Sequence, residues 1–430
     1  MMMNRRRFLQ SGAVLSAAGL AGAQRERASE APTTPLPPAV LALPTNRKSE
    51  AVPISMEERA KRLQRARELM VENKQDAILL AGGTSLNYFT GIRWSNSERL
   101  MCLVLPAKGK PFFVCPHFEK GRIDERLGSL PDGKDIAVYL WQEDESPSAL
   151  VGKGLADLGI RSGVLGVDES APFTFANAVA KANPAIHVVD ATPVTAGCRM
   201  IKSPAELALI RLACSITMQV YEAVWKSVQP GITTRAFSEL CARAYGHMGV
   251  VGDTNCQTGP SSALPHGSIA PQIIRENAMV LIDDGCFVEG YQSDISRAWV
   301  YGKPTDSMLR RFDVVHRAQA AAREAAKPGV ECQAVDAAAR KVIDDAGFGP
   351  DYKIFVHRVG HGLGMDIHEW PYLVRGNTLK MRAGMVFSDE PALFVPNEFG
   401  LRLEDDMHIT ENGAEWFTPQ SPSLEHPFGA

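Results

Sequence analysis

The acidic and histidine residues with the spacing to do chemistry are concentrated between positions 283 and 406. Asp283 and Asp294 lie on either side of a turn signal, Glu289-Gly290, at a separation of eleven. If those two residues form the turn of a hairpin, Asp294 falls opposite Gly285 and Asp283 sits two positions along on the same face. Diagonal neighbours of this kind lie about 7–8 Å apart, within reach of a shared cation or a pair of cations. Asp284 points to the other face. Taken alone, a solvated hairpin with scattered acids explains this stretch equally well.

The residues that follow shift that balance. His361-Gly362-Leu363-Gly364 sets a histidine among glycines, where backbone and ligand can approach closely. His357 lies four residues before it, and His368-Glu369 begins seven residues after it. The apolar run Gly384 to Phe387 leads into Ser388-Asp389-Glu390-Pro391, and Leu401 to Asp406 alternates apolar and charged positions like a half-buried strand. A single histidine is ordinarily a packing or surface residue. Carboxylates that end apolar strands are harder to explain, because burying them unpaired is expensive. Coordination to a metal neutralises them, and oxygen-rich ligation with one imidazole suits Mn, Co, Fe or Zn.

Helices must hold these strands in place. Ser203-Pro204-Ala205-Glu206 combines an N-cap serine, a proline at the first helical position and the glutamate of a capping box. That helix is expected to run to Val228, before Pro230-Gly231. Others are expected over Thr234 to Met248, Ser307 to Ala326 and Cys332 to Ala346. Helices on one side of an antiparallel sheet fit an α+β domain over 198–430. Upstream, Ser55 caps a helix from Met56 to Asn73, and strands are read at Asp76–Ala81, Arg99–Leu105, Pro111–Cys115, Ile136–Leu140, Gly163–Val167 and Ile186–Val189. These make a separate α/β unit over 55–197.

Composition bounds the rest. The 430 residues suffice for two or three domains, and 45% hydrophobic residues, 22% charged residues and a net charge of −3 describe a soluble globular protein with no sign of nucleic-acid binding. The eight cysteines are scattered without CxxC spacing, so no zinc ribbon or thioredoxin-type site is signalled, and most read as small buried hydrophobes. The N-terminus carries Arg5-Arg6-Arg7-Phe8-Leu9, an apolar run from Gly12 to Leu20 and Ala21-Gly22-Ala23, the pattern of a cleaved targeting segment over 1–23. The Arg pair followed by Phe-Leu resembles a twin-arginine signal, which implies export of a folded protein to the periplasm. Residues 24–54, rich in Pro, Ala, Thr and Ser, read as a linker or disordered arm. No later stretch reads as long enough for a transmembrane span.

The ordered series Asp283, Asp294, His361-Gly-x-Gly, Glu390-Pro and Arg402-x-Glu404-Asp resembles the pita-bread metallopeptidase superfamily, which holds methionine aminopeptidase, prolidase, aminopeptidase P and the metal-free creatinase. The likeness runs from 198 to about 418. A weaker one, including Asn87-Tyr88-Phe89-Thr90-Gly91, crosses 55–197 and is typical of the creatinase/prolidase N-terminal domain. Leu264-Pro265-His266-Gly267, His357 and the long N-terminal domain are similar to the proline-specific branch. The resemblance implies two divalent metal ions (Mn, Co, Zn or Fe), with Asp294 and Glu404 bridging them, Asp283 completing one site and His361 and Glu390 the other. It further implies Glu390 as proton shuttle, His266 and His368 as oxyanion donors, His357 at the substrate near proline and Arg402 orienting a ligand or the substrate. Proline-containing dipeptides or short peptides would be the substrates and a homodimer or larger homo-oligomer the assembly. Asp389, where an apolar residue is usual, and Trp370, where smaller residues are common, depart from the pattern and leave open a lyase or amidine hydrolase on the same fold. A binding module without catalysis would be marked by loss of ligands, and all five are present.

Overall fold

The computed structural model describes residues 34–429. The expected targeting segment over 1–23 and the first part of the linker lie outside the described residues. The second part of that linker is structured. Helix α1 (Pro38–Leu41) and a 3₁₀ turn (Arg47–Glu50) lie on the catalytic half of the chain, with Val40 fully buried. Arg47 donates to Ser215 at 3.0 Å, and Arg243 donates to the Thr34 carbonyl at 2.7 Å. Leu36, Val40, Leu43, Ala51 and Ile54 supply the apolar contact that makes this a docked arm.

The first domain contains α2 (Met56–Glu72), β1 (Ala77–Ala81), α3 (Thr84–Thr90), β2 (Cys102–Pro106), β3 (Phe112–Pro116), α4 (Lys120–Gly128), β4 (Ala137–Trp141), α5 (Pro147–Asp157), β5 (Gly163–Val167), α6 (Phe173–Ala182), β6 (Ile186–Asp190) and α7 (Thr192–Arg199). Ser55 caps α2 by accepting from the Glu58 amide at 3.1 Å. The strands form one six-stranded sheet in the order β4-β3-β2-β1-β5-β6. The β1/β2 and β2/β3 pairs are antiparallel, and the rest are parallel. Strand β1 is apolar throughout because both its faces are covered. Ile78 and Leu80 pack with α2 and α7, while Ala77, Leu79 and Ala81 pack with α5 and α6.

The second domain opens with α8 (Pro204–Ser227), whose expected capping box is present, and α9 (Thr234–His247). Strands β7 (Val251–Gly252), β8 (Asn255–Thr258), β9 (Met279–Asp283), β10 (Cys286–Val288), β11 (Tyr291–Gln292) and β12 (Arg297–Val300) follow. After α10 (Asp306–Ala325) and α11 (Cys332–Asp345) come β13 (Gly360–Gly362), β14 (Glu369–Leu373), β15 (Val386–Asp389), β16 (Ala392–Val395), β17 (Phe399–Arg402), β18 (Asp405–Ile409) and β19 (Ala414–Trp416). The antiparallel ladders are β12-β9-β8, β14-β13-β15-β18-β19, β11-β10-β7 and β16-β17. The helices do not lie on one side, as the sequence reading has it. Met279 and Leu281 pack with α10 and α11, whereas Val280 and Ile282 pack with α8 and α9. An unbroken apolar strand requires cover on both faces, and a helix pair supplies each.

Helix α8 is long and apolar enough to cross a membrane by length and composition, contrary to the reading that no later stretch is long enough. Leu209, Ile210, Ala213, Ile216, Val220 and Val224 on it are buried in the second domain's core. All eight cysteines are buried and free.

Candidate active site

The expected hairpin forms in the expected register. Val288 pairs with Tyr291 across Glu289-Gly290, and Ile282 pairs with Arg297 further along the same ladder. Glu289 and Gly290 both have positive φ, 50° and 92°, the geometry of a tight two-residue hairpin turn. Between the two ladders the pairing loosens. Asp284 has φ 86°, and its carboxylate turns away to accept from the Asn255 amide at 3.0 Å. Asp283 and Asp294 remain on the inner face.

Three further segments bring up the other ligands. His361 lies on β13, its amide held by the Ser388 hydroxyl at 3.0 Å. A side chain at Gly360 would meet the Ser388 carbonyl at 2.0 Å, so only glycine lets β13 approach β15 this closely. Glu390 follows β15, and Glu404 lies in the link from β17 to β18. The resulting cavity, of about 500 Å³, is lined by Asp283, Asp294, His361, Glu390, Glu404, Arg402, His266, His357, His368, Pro265, Val356 and Arg358. Every residue proposed from sequence for the site is therefore in one place.

Ligand atoms of His361, Glu390 and Glu404 lie within 4.8 Å of one another, and so do those of Asp283, Asp294 and Glu404. The Nε2 of His361 is 3.2 Å from Glu390 and 3.6 Å from Asp294. Arg402 touches Asp283 and lies 3.6 Å from Glu404 and 3.9 Å from Glu390. Sequence reasoning missed Ser296, whose hydroxyl is 2.7 Å from both Asp283 and Glu404 and accepts from Arg402 Nε at 2.8 Å. Its position two residues after Asp294, on the same face of the strand, is the signal that would have found it.

The electrostatics of this cluster fit divalent cations. Burial pushes Asp294 and Glu404 well above the usual carboxylate range, with repulsion from Asp283, Asp406 and Glu390 adding to it at Asp294 and from Asp294, Glu390 and Asp283 at Glu404. Burial also opposes ionisation of Asp283 and Glu390. Arg402 nevertheless draws Asp283 down, and the histidines with Arg402 draw Glu390 down to about 2. Four buried carboxylates thus face one guanidinium, an excess of negative charge that bound cations would offset. A third group, Asp294, His361 and His368, meets the same distance criterion, but the His368 ring lies tilted by 36° against His361, centroids 3.9 Å apart, and is exposed to the cavity.

His357 and His368 are held toward the neutral form, in which each ring has one donor and one acceptor nitrogen. Burial and the neighbouring His361 lower His368 to about 4, and burial lowers His357. His357 Nδ1 is 2.7 Å from the Arg358 carbonyl, while its Nε2 has no partner among the described residues. Arg358, also missed from sequence, stacks on Tyr372 at 4.1 Å. Of the two unusual residues, Asp389 is fully buried behind the cavity, where it accepts from Trp416 Nε1 at 3.1 Å. Trp370 lines a neighbouring cavity of about 260 Å³ with His368, Arg199, Glu169 and Tyr372. Neither of these two departures from the family pattern lines the catalytic cavity.

Residues 208–411 match the model of metallopeptidase family M24, and residues 62–201 match that of the Creatinase/Prolidase N-terminal domain. The chain is 33% identical over 366 residues to an Xaa-Pro dipeptidase of Lactobacillus delbrueckii subsp. lactis, covering 82% of this chain and 95% of that one. Among solved structures, dipeptidase PepE from Mycobacterium ulcerans superposes with a TM-score of 0.81 at 32% identity, covering 87% of this chain and 99% of that one. A prolidase from Thermococcus sibiricus superposes with a TM-score of 0.77 at 26% identity, over 85% and 98% of the two chains. With its five candidate ligands around one cavity and its N-terminal domain of the matching type, the chain belongs to metallopeptidase family M24.

Proposed function

We propose that this metallopeptidase hydrolyses the peptide bond preceding proline in dipeptides or short peptides. The observation that carries the reading is the single cavity in which the ligand set meets three further histidines, His266, His357 and His368. Two divalent ions, of Mn, Co, Zn or Fe, would be held by Asp283, Asp294, His361, Glu390 and Glu404. When bound, they supply Lewis-acid charge that polarises the scissile carbonyl and lowers the pKa of water.

The chain's own residues account for the rest. Glu390 is ionised, so it can accept a proton from the attacking water as the new C–O bond forms. It then returns that proton to the proline nitrogen as the C–N bond breaks, releasing free proline or a peptide that begins with it. His266 and His368 present N–H groups to the carbonyl oxygen, which gains negative charge in the transition state. His368 is uncharged at neutral pH, so it donates without adding a cation to the site. A tertiary amide before proline offers no N–H to bind, and donors aimed at its carbonyl avoid that handicap. With Nδ1 donating to the Arg358 carbonyl, His357 keeps Nε2 as an acceptor, and burial opposes a second proton. Arg358, whose guanidinium has no ion pair or side-chain hydrogen bond among the described residues, is the better partner for a substrate carboxylate. Arg402 steadies Asp283 and Glu404.

The test is metal content of the purified mature protein coupled to hydrolysis of Gly-Pro, Ala-Pro and Arg-Pro-Pro. About two ions per chain and cleavage before proline, both lost in Asp294→Ala and His361→Ala, are expected. The length of peptide accepted separates dipeptidase from aminopeptidase. Bound metal without cleavage of any Xaa-Pro bond overturns the reading in favour of a lyase or amidine hydrolase. We infer further, from Arg5-Arg6-Arg7-Phe8-Leu9 and the apolar run after it, that the chain is exported by the twin-arginine route to the periplasm. Retention in the cytoplasm of both the natural protein and a variant with Arg5, Arg6 and Arg7 changed to Lys would overturn that. A homodimer or larger homo-oligomer is the assembly we expect, checked by sedimentation.

A further inference from the structure

His368 faces the cavity, yet its ring has no hydrogen bond to any described residue. Beyond its contact with His361, its place depends on the backbone that carries it. The next residue, Glu369, is 4% exposed and begins β14. Its carboxylate accepts from Arg199 Nε at 3.2 Å, Arg199 Nη2 at 2.6 Å, Lys202 Nζ at 3.1 Å, and the amides of Met365 and Asp366 at 2.9 and 3.0 Å. The last two fold the Met365–Asp366 turn back onto the strand. A side chain at Gly364 would meet the carboxylate at 2.8 Å, so the turn closes around it with no room for a Cβ. Gly362 pairs with Glu369 where the ladder shifts register beside His361, and this irregularity lays His368 over His361.

The cations come from elsewhere. Arg199 ends α7, two residues past the boundary expected at 197 but inside the stretch, 62–201, that matches the N-terminal domain, and Lys202 lies in the connection to α8. Arg199 also pairs with Asp366 at 2.5 Å. The two domains therefore meet at the root of the strand that holds His368.

We propose that Glu369 and Arg199 are positioning residues for His368: a buried ion pair with one half from each domain sets this histidine over the scissile carbonyl. The N-terminal domain is then part of the catalytic apparatus without touching substrate. The proposal rests on His368 acting as a donor to that carbonyl.

Glu369→Gln keeps the shape but turns an amide NH₂ toward donors. We expect kcat for Ala-Pro to fall about 10–100-fold, as for loss of a supporting contact, with KM and metal content unchanged. In a His368→Ala background the same change should cost less than about threefold, because residues acting through one group are not additive. The ring resonance of His368, identified in ¹⁵N-histidine spectra as the one missing from His368→Ala, should shift or broaden in Glu369→Gln. Equal losses in both backgrounds, or an unmoved resonance, would overturn the proposal. If Glu369→Gln does not fold, Arg199→Lys, which keeps the charge but loses the two-pronged contact, takes its place in the same cycle. If the parent protein cleaves no Xaa-Pro bond, the proposed function fails by itself, and the resonance still decides the positioning role.

Discussion

The strands of the catalytic domain carry carboxylates on both sides, and the two sets live under opposite conditions. In front, Asp283, Asp294, Glu390 and Glu404 crowd into one cavity with Arg402 as their permanent cation. Behind, Asp389, Asp405 and Asp406 are fully buried, and each takes at least one hydrogen bond from the protein itself. Asp405 accepts from Arg297 at 2.6 Å, Gln319 at 3.0 Å and Thr418. Asp406 accepts from the Asp294 amide at 2.9 Å and from Cys214 at 3.3 Å, and Asp389 accepts from Trp416. Asp405 completes its interactions within the fold, whereas Asp389 and Asp406 each keep one buried oxygen without a partner among the described residues, and burial pushes both well above the usual carboxylate range. The front set is left incomplete in a way a cation completes. Adjacent residues such as Glu404, in the link before β18, and Asp405, the first residue of β18, thus have different surroundings and tasks.

That contrast breaks most sharply at Asp294. Asp294→Asn should reduce metal retention and activity by more than the roughly 100-fold that a supporting residue costs, while raising the melting temperature of the metal-free protein. A lower metal-free melting temperature would mean that the front carboxylates are not in surplus. At the rear, Arg297→Met strands Asp405 without its cation, since Arg297 and Asp405 are both fully buried. It should cost about 3–5 kcal/mol of stability, equally with and without metal, by denaturant unfolding.

Glu369 is a third case, a buried carboxylate balanced by two protein cations. Burial opposes its ionisation, but Arg199 and Lys202 bring it down to about 2 from an ordinary 4.5. A depressed pKa stabilises the fold fully above the ordinary value, and the gain is lost as pH falls toward the folded one. Unfolding midpoints should therefore report a loss on the order of 3 kcal/mol between about pH 4.5 and 2, and Glu369→Gln should flatten that part of the curve. The smallest effect belongs to Asp389→Asn, which keeps an acceptor for Trp416. It should change stability by about 1 kcal/mol or less and leave Xaa-Pro kinetics unaltered. A shift in substrate preference would restore Asp389 to the pocket.

Much of the front set is readable in the sequence because strand alternation and a two-residue turn are short-range rules. Glu289-Gly290 fixes which face Asp283 and Asp294 share, with no knowledge of the rest of the chain. Capping works the same way at Ser55 and Ser203. The rear set and the Glu369 hub are not readable, because Arg297, Gln319, Arg199 and Lys202 come from elements distant in sequence. Charged residues in those positions look like ordinary surface residues until packing buries them. The second helix layer is missed for the same reason, and an apolar strand does not reveal which helices cover it.

The docked arm has a consequence for the order of events in making this protein. Arg47 meets Ser215 across a separation of 168 residues. A chain synthesised from its N-terminus emerges with this arm long before its landing surface on α8 and α9 exists. Closing so long a loop costs little more entropy than closing one half its length. The arm can therefore wait and settle last, so its protection from a protease is a signature of a finished molecule.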